Sequence, residues 1–76
     1  MNKTLALLPI GNSGVVEGVN APKALKRRLM DMGFTRGIPV KVVKVAPLGD
    51  PLEVEIRGYN LCLRKEEAKI ITLRQE

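Results

Sequence analysis

Histidine and tryptophan are absent from this 76-residue chain, and cysteine, tyrosine and phenylalanine occur once each. Each scarcity removes a class of function. Without histidine, and with Cys62 as the single thiol, no nucleophile–base pair and no Cys/His metal set can be assembled. One cysteine also forbids an internal disulfide, whereas small secreted domains usually rely on several, so the chain reads as cytoplasmic. No apolar run approaches the ~20 residues of a membrane span. The stretch Leu5-Ala6-Leu7-Leu8 after Lys3 is cut at Pro9, short of the roughly 7–15 residues of a signal-peptide core. Gly11-Asn12-Ser13-Gly14 lacks the Walker spacing and its lysine, so it reads as a turn and not a phosphate loop.

The acids are equally uninformative for catalysis. Glu53 and Glu55 fall on the outward face of a strand beside lysines, which makes them surface pairs and not an acid/base couple. Asp50, Glu53 and Glu55 are too dispersed for an oxygen-only iron site, where several ligands must converge. Cys62 on a strand is expected to be a small, half-buried apolar residue. No catalytic residue, no metal ligand and no cofactor is therefore expected; the chain is not read as an enzyme.

What is present is an apolar fraction of 45%, a net charge of +5 and a pI near 9.8. A chain this size buries only about 60–65% of the surface its unfolded form exposes, enough for one core. With Phe34 and Tyr59 as the sole aromatics, that core must be built from Leu, Ile, Val and Met. No linker or repeat appears, so residues 1–76 form a single domain, with its core over about 5–73 and a frayed tail at 74–76. The positive charge fits an acidic partner surface, nucleic acid or an anionic membrane. It is spread along the chain, with one local cluster at Lys23, Lys26, Arg27 and Arg28.

Periodicity places the elements. Residues 4–8 are a short strand candidate, residues 12–14 a turn, and residues 15–19 a β-branched strand in which Gly18 marks a bend, bulge or close backbone approach. Asn20 is a plausible N-cap, with Pro22 in the first helical turn. From Pro22 to Met32 the apolar residues Leu25, Leu29 and Met32 recur at helical spacing, Arg27 and Asp31 lie four apart, and Gly33 supplies the stop. After a turn at residues 35–37, two strands at residues 40–46 and 52–57 flank the loop 47–51. Leu52, Val54 and Ile56 alternate with outward Glu53, Glu55 and Arg57. The first strand breaks its alternation at Val42–Val43, which predicts a bulge. That bulge sets Val45 against Leu52, Val43 against Val54 and Val40 against Ile56, with Lys44 beside Glu53 and Lys41 beside Glu55. Gly58 turns into a strand at residues 60–63, a single helical turn follows at 64–68, and residues 69–73 close the sheet. About five short strands with one helix between the second and third must curl on themselves to cover their edges, giving a small, mostly β barrel.

With no reactive site expected, function falls to the surface. Met30 lies on the helix flank beside Lys26, and an adaptable methionine among cations suits partner binding. The loop Ala46-Pro47-Leu48-Gly49-Asp50-Pro51 carries an apolar tip, Leu48, on a backbone stiffened by two prolines.

Three stretches together resemble the FeoA family: Lys26-Arg27-Arg28-Leu29-Met30-Asp31-Met32-Gly33-Phe34, Arg36-Gly37 before a β-branched strand, and Val45-Ala46-Pro47-Leu48-Gly49-Asp50-Pro51. Leu61-Cys62-Leu63-Arg64 and Ala68 extend the likeness, which runs from about Leu5 to Leu73. The resemblance implies an SH3-like barrel. It further implies a small cytoplasmic accessory of ferrous iron transport that binds the cytoplasmic part of a FeoB-type membrane Fe²⁺ transporter. The expected contact residues are Lys23, Lys26, Arg27, Met30 and Arg36 around the helix, with Leu48 as a second point. The membrane is reached only through that partner, and the chain itself is expected to be a monomer or weak dimer. Two alternatives stay open. One is a basic nucleic-acid-binding barrel, disfavoured because Phe34 and Tyr59 are the only stacking platforms. The other is a weak transition-metal-binding module, a property the family likeness carries.

Overall fold

Alternation of apolar and polar residues builds the sheet, and two breaks in that alternation curl it. A computed structural model describes residues 2–74 of the chain. Six strands, β1 (Asn2–Thr4), β2 (Ser13–Val19), β3 (Pro39–Val45), β4 (Leu52–Ile56), β5 (Tyr59–Leu63) and β6 (Ile71–Arg74), form one antiparallel sheet in the order β1-β6-β2-β3-β4-β5. Helix α1 (Lys23–Asp31) lies between β2 and β3, and the short α2 (Lys65–Ala68) precedes β6.

The first break is in β2, where Gly14, Val16 and Val19 are buried, so the inward phase slips by one residue. The pairing with β6 shows why: Val16 faces Leu73 and Gly18 faces Thr72, leaving Glu17 as the extra residue. A bulge of this kind bends its strand and increases the local twist. Gly18 adjoins the bulge, but a Cβ built there meets nothing within 4 Å, so a close backbone approach is not its reason. Gly14 is the position where room is lacking, since a Cβ there would lie 3.1 Å from Leu73 Cδ1 and 3.3 Å from its Cβ.

The second break is in β3. The observed pairs are Val40–Ile56, Lys41–Glu55, Val42–Val54, Lys44–Glu53 and Val45–Leu52, with the register shift between Val42 and Lys44. The bulge and four of the five expected pairs are present. The correction is at the fifth: Val42, and not Val43, faces Val54. Val42 is fully buried, and Val43 is the half-buried extra residue. Two adjacent valines are chemically identical, so only packing from the rest of the core chooses between them. The lysines stand opposite the glutamates as expected, yet neither pair closes to an ion pair. Among the described residues the ion pairs are Arg36–Glu17 and Arg64–Glu66, and Arg27 and Asp31 form none either. The Glu53 carboxylate instead accepts from Asn60 Nδ2 at 2.9 Å.

Other boundaries move for local reasons. Of the expected strand at residues 4–8 only Thr4 is in a strand: β1 covers Asn2–Thr4, and a 3-10 turn follows over Leu5–Leu7. That turn buries Leu5 and Leu8, near α2 and β6, and the six strands observed correspond to the six stretches expected, one more than the overall count of about five. The chain reverses at residues 9–12, where the Asn12 N–H donates to the Pro9 carbonyl at 3.1 Å, and not at residues 12–14. Asn20 does not cap α1: the helix begins later, with Pro22 at the N-cap position and no side-chain cap bond, while the Asn20 N–H donates to the Ile70 carbonyl at 2.8 Å. Arg57 lies outside the strand: with φ +54 it forms, with Gly58 at φ +86, a two-residue primed turn matched to strand twist. Arg74 is paired in β6 opposite Asn2 and Val15, so the tail does not begin there; residues 75–76 lie outside those described.

Phe34, Leu5, Leu29, Ile56, Leu63, Ile71 and Leu73 are the largest fully buried side chains, and among the described residues no polar one is buried with them. Each such side chain contributes about 1.5–3 kcal/mol relative to exposure. Of the predicted helix stripe, Leu29 is fully buried, while Leu25 and Met32 are half-buried at the margins.

Candidate functional site

Helix α1 presents its cations outward because its apolar residues are drawn to one face. Lys23, Lys26, Arg27 and Arg28 are all exposed. The bulge at Glu17 turns β2 under the second half of this helix. Between them lies a shallow groove of about 280 Å³, lined by Lys26, Met30, Phe34, Arg36, Glu17 and Gly18. Gly18 contributes no side chain, which keeps the depression open. Phe34 is buried at the floor, held in place as its N–H donates to the Leu29 carbonyl at 3.1 Å. Met30 is 40% exposed at the wall. Arg36 reaches Glu17 at 3.5 Å across the mouth, with its side chain 80% exposed. An exposed pair of that kind contributes about 0.2–1 kcal/mol and opens readily for a competing carboxylate.

The structure thus brings together three of the six expected contact residues: Lys26, Met30 and Arg36. Lys23 and Arg27 lie on the same helix but outside the groove. Leu48 is elsewhere, at the tip of the β3–β4 loop, 95% exposed. That loop is closed by the Gly49 N–H donating to the Ala46 carbonyl at 2.7 Å and the Ala46 N–H to the Pro51 carbonyl at 3.1 Å.

A second groove, of about 600 Å³, was not legible beforehand. It runs between α1, at Leu25 and Arg28, and β5, at Cys62 and Leu63, with Ile70 beyond α2 on its far side. Cys62 is exposed there, contrary to the half-buried position expected of it. On β5 it alternates with Leu61 and Leu63, so its side chain is on the opposite face of the strand from theirs. Tyr59 spans the other end of the same strand, its hydroxyl donating to the Met32 carbonyl at 3.0 Å. That bond ties the β4–β5 turn to the end of α1.

Among the described residues, no three His, Cys, Asp or Glu side chains gather where a metal ion could be held. No helix among them is long and apolar enough to cross a membrane. The surface presents the exposed apolar residues Met30 and Leu48, with Met30 among the exposed cations of α1.

Comparison with known proteins assigns the fold to a family. A family model described as the FeoA domain matches residues 3–75. The Fe(2+) transport protein A/Fe(2+) transporter FeoB fusion protein of Porphyromonas gingivalis is 38% identical over 64 residues. That match takes in 84% of this chain but only 8% of the fusion protein. Among solved structures, the FeoA protein of Chlorobium tepidum is 44% identical, with a TM-score of 0.86 over 95% of this chain and 69% of that one. FeoA of Stenotrophomonas maltophilia, complexed with zinc and described as a procaryotic SH3 domain protein, is 39% identical. It has a TM-score of 0.81 over 92% of this chain and 87% of that one. Sequence and fold agree over nearly the whole length, and the chain belongs to the FeoA family.

Proposed function

We propose that this chain is a small cytoplasmic accessory of ferrous iron transport that acts by binding the cytoplasmic part of a FeoB-type transporter. The observation that carries this reading is the fusion protein, in which a domain 38% identical to this chain is joined covalently to a FeoB transporter. Fusion places two domains at high effective concentration, which is useful where they touch. The SH3-like fold of the family supports a binding role, and the groove between α1 and β2 supplies a surface suited to it.

Docking there buries the exposed part of Met30 beside Phe34 and sets Lys26 and Arg36 against carboxylates of the partner. Lys23 and Arg27, on the same helix, form a charged rim that speeds encounter and is screened by salt. Leu48 lies at a distance and serves as a separate contact or none. The mechanism is a shift of the transporter between conformations it already samples, by preferential binding to one of them.

The test is affinity capture of a purified FeoB cytoplasmic domain by this chain in each nucleotide state, with the wild type and with Met30→Asp. The substitution places an unpaired carboxylate in the groove, so binding should be lost while the circular dichroism spectrum is kept. Retained binding by Met30→Asp removes this groove as the docking surface. Absence of binding by the wild type in every nucleotide state removes the partner.

A further inference from the structure

Among the described residues, strand β5 ends the sheet and is hydrogen-bonded only to β4. The other outer strand, β1, is three residues long and contains Lys3, the usual protection of a sheet edge. β5 has neither device: it runs five residues, Tyr59–Leu63, with no charge, proline or bulge. Its register follows from the two-residue turn, in which the flanking pair Ile56–Tyr59 exchanges hydrogen bonds. Alternation then assigns the inward bonds to Tyr59, Leu61 and Leu63, so Asn60 and Cys62 direct N–H and C=O to the open edge. No loop or cap bond among the described residues reaches either of them.

That edge borders the groove walled by Leu25 and Arg28 on α1 and by Ile70. The charges at this end are unequally satisfied. Asp50 Oδ1 accepts from the Lys65 N–H at 3.0 Å, Glu67 Oε1 accepts from the Arg64 N–H at 3.0 Å, and Glu66 sits 4.0 Å from the Arg64 guanidinium. Each of the three acids has a polar partner, and Glu66 and Glu67 line the groove beside Arg28 and Arg64. The side chains of Arg28, Lys65 and Lys69 are exposed and have no hydrogen bond or ion pair among the described residues. Lys65 and Lys69 lie in the depression that continues the groove past Arg64.

We propose that the open edge of β5 is a second binding site, which accepts by strand addition an extended peptide segment alternating aliphatic and acidic residues. Main-chain bonds to Asn60 and Cys62 supply affinity, aliphatic side chains cover Leu25 and Ile70, and carboxylates meet Arg28, Lys65 and Lys69. The strand already held on the other side of β5 has this pattern, Leu52-Glu53-Val54-Glu55-Ile56. The site is separate from the α1–β2 groove and does not depend on the docking proposed there.

The probe is a blocked heptapeptide alternating valine and glutamate, titrated to millimolar concentration into the isotope-labelled full chain. A peptide with lysine for glutamate is the control. The expected result is shifted and exchange-protected amides at Asn60 and Cys62 with the glutamate peptide, and binding at least about tenfold weaker with the lysine one. Asn60→Pro removes an outward donor without touching the β4 ladder, and should weaken binding about tenfold, whereas Asn60→Ala should not. Arg28→Glu, on the helix, should also weaken it and serves if the proline variant fails to fold. Several results overturn the proposal: no shift at these amides, equal binding of both peptides, or full binding by a folded Asn60→Pro. Shifts centred on Lys26, Met30 and Arg36 do so as well. Concentration-dependent shifts at Asn60 and Cys62 without peptide give the edge to a second copy and likewise overturn it.

Discussion

Truncating Val42 and Val43 separately to alanine measures the register of β3 directly. Val42 is fully buried opposite Val54. Removing two methyl groups from that environment forfeits ~0.8 kcal/mol each, about 1.6 kcal/mol in all. A residual cavity of about 30 Å³ adds ~0.7 kcal/mol at ~24 cal/mol per Å³, for a total of about 2.3 kcal/mol. In a domain of this size that lowers Tm by about 10–18 °C. Val43 is the bulged residue and only half-buried, and water can enter behind it. Its truncation should cost at most about 0.8 kcal/mol, with no cavity term. Urea unfolding followed by far-UV circular dichroism compares the two, and an unchanged m-value keeps both in the two-state frame. If Val43→Ala costs as much as Val42→Ala or more, the assignment of Val42 to the core is wrong and the bulge sits one residue earlier.

Gly14→Ala should destabilise the fold by about 1–3 kcal/mol, because the new methyl lies 3.1 Å from Leu73 Cδ1 in a closed core; the same urea titration reads it. A stability equal to the wild type would mean that Leu73 moves aside without cost. Tyr59→Phe removes the bond to the Met32 carbonyl and should cost about 0.5–1 kcal/mol, toward the low end because the ring is 47% exposed. Faster amide exchange at the end of α1 should accompany it, and unchanged exchange there would show that the bond does not tie turn to helix.

How much of this was open to sequence reasoning follows from the range of each determinant. The helix was legible because Leu25, Leu29 and Met32 share a face and Gly33, at φ +115, stops it. The β3–β4 hairpin was legible because Leu52, Val54 and Ile56 leave one register, and the broken phase at Val42–Val43 demands a bulge. The outermost pieces were less so. β1 is a three-residue strand whose partner among the described residues is β6, about seventy residues away, so no local pattern marks it. Asn20 has the chemistry of an N-cap, but its backbone is bonded to Ile70 beside β6 and the helix starts past it, with Pro22 at the N-cap. The expected ion pairs Lys44–Glu53 and Lys41–Glu55 occupy the right register, yet Asn60 from the next strand takes the Glu53 carboxylate.

The surface divides in the same way. Lys26 and Met30 are neighbours on one helix turn, so their association is local and readable from spacing. Arg36 joins them through Glu17, nineteen positions away, and only because β2 bulges at that residue. The groove beside β5 has no sequence signature at all: Leu25, Cys62 and Ile70 meet there by the curl of the sheet. Composition alone withheld histidine as a base and a Cys/His metal set from these 76 residues, since side chains that are missing cannot be supplied by folding. Periodicity set which residues face inward, because a period of two or 3.6 is a property of neighbours. The tertiary structure decided which of two equal valines is buried, which carboxylate each cation reaches and which strand is left with an open edge. Those choices depend on distances between segments far apart in the chain, and no local pattern encodes them.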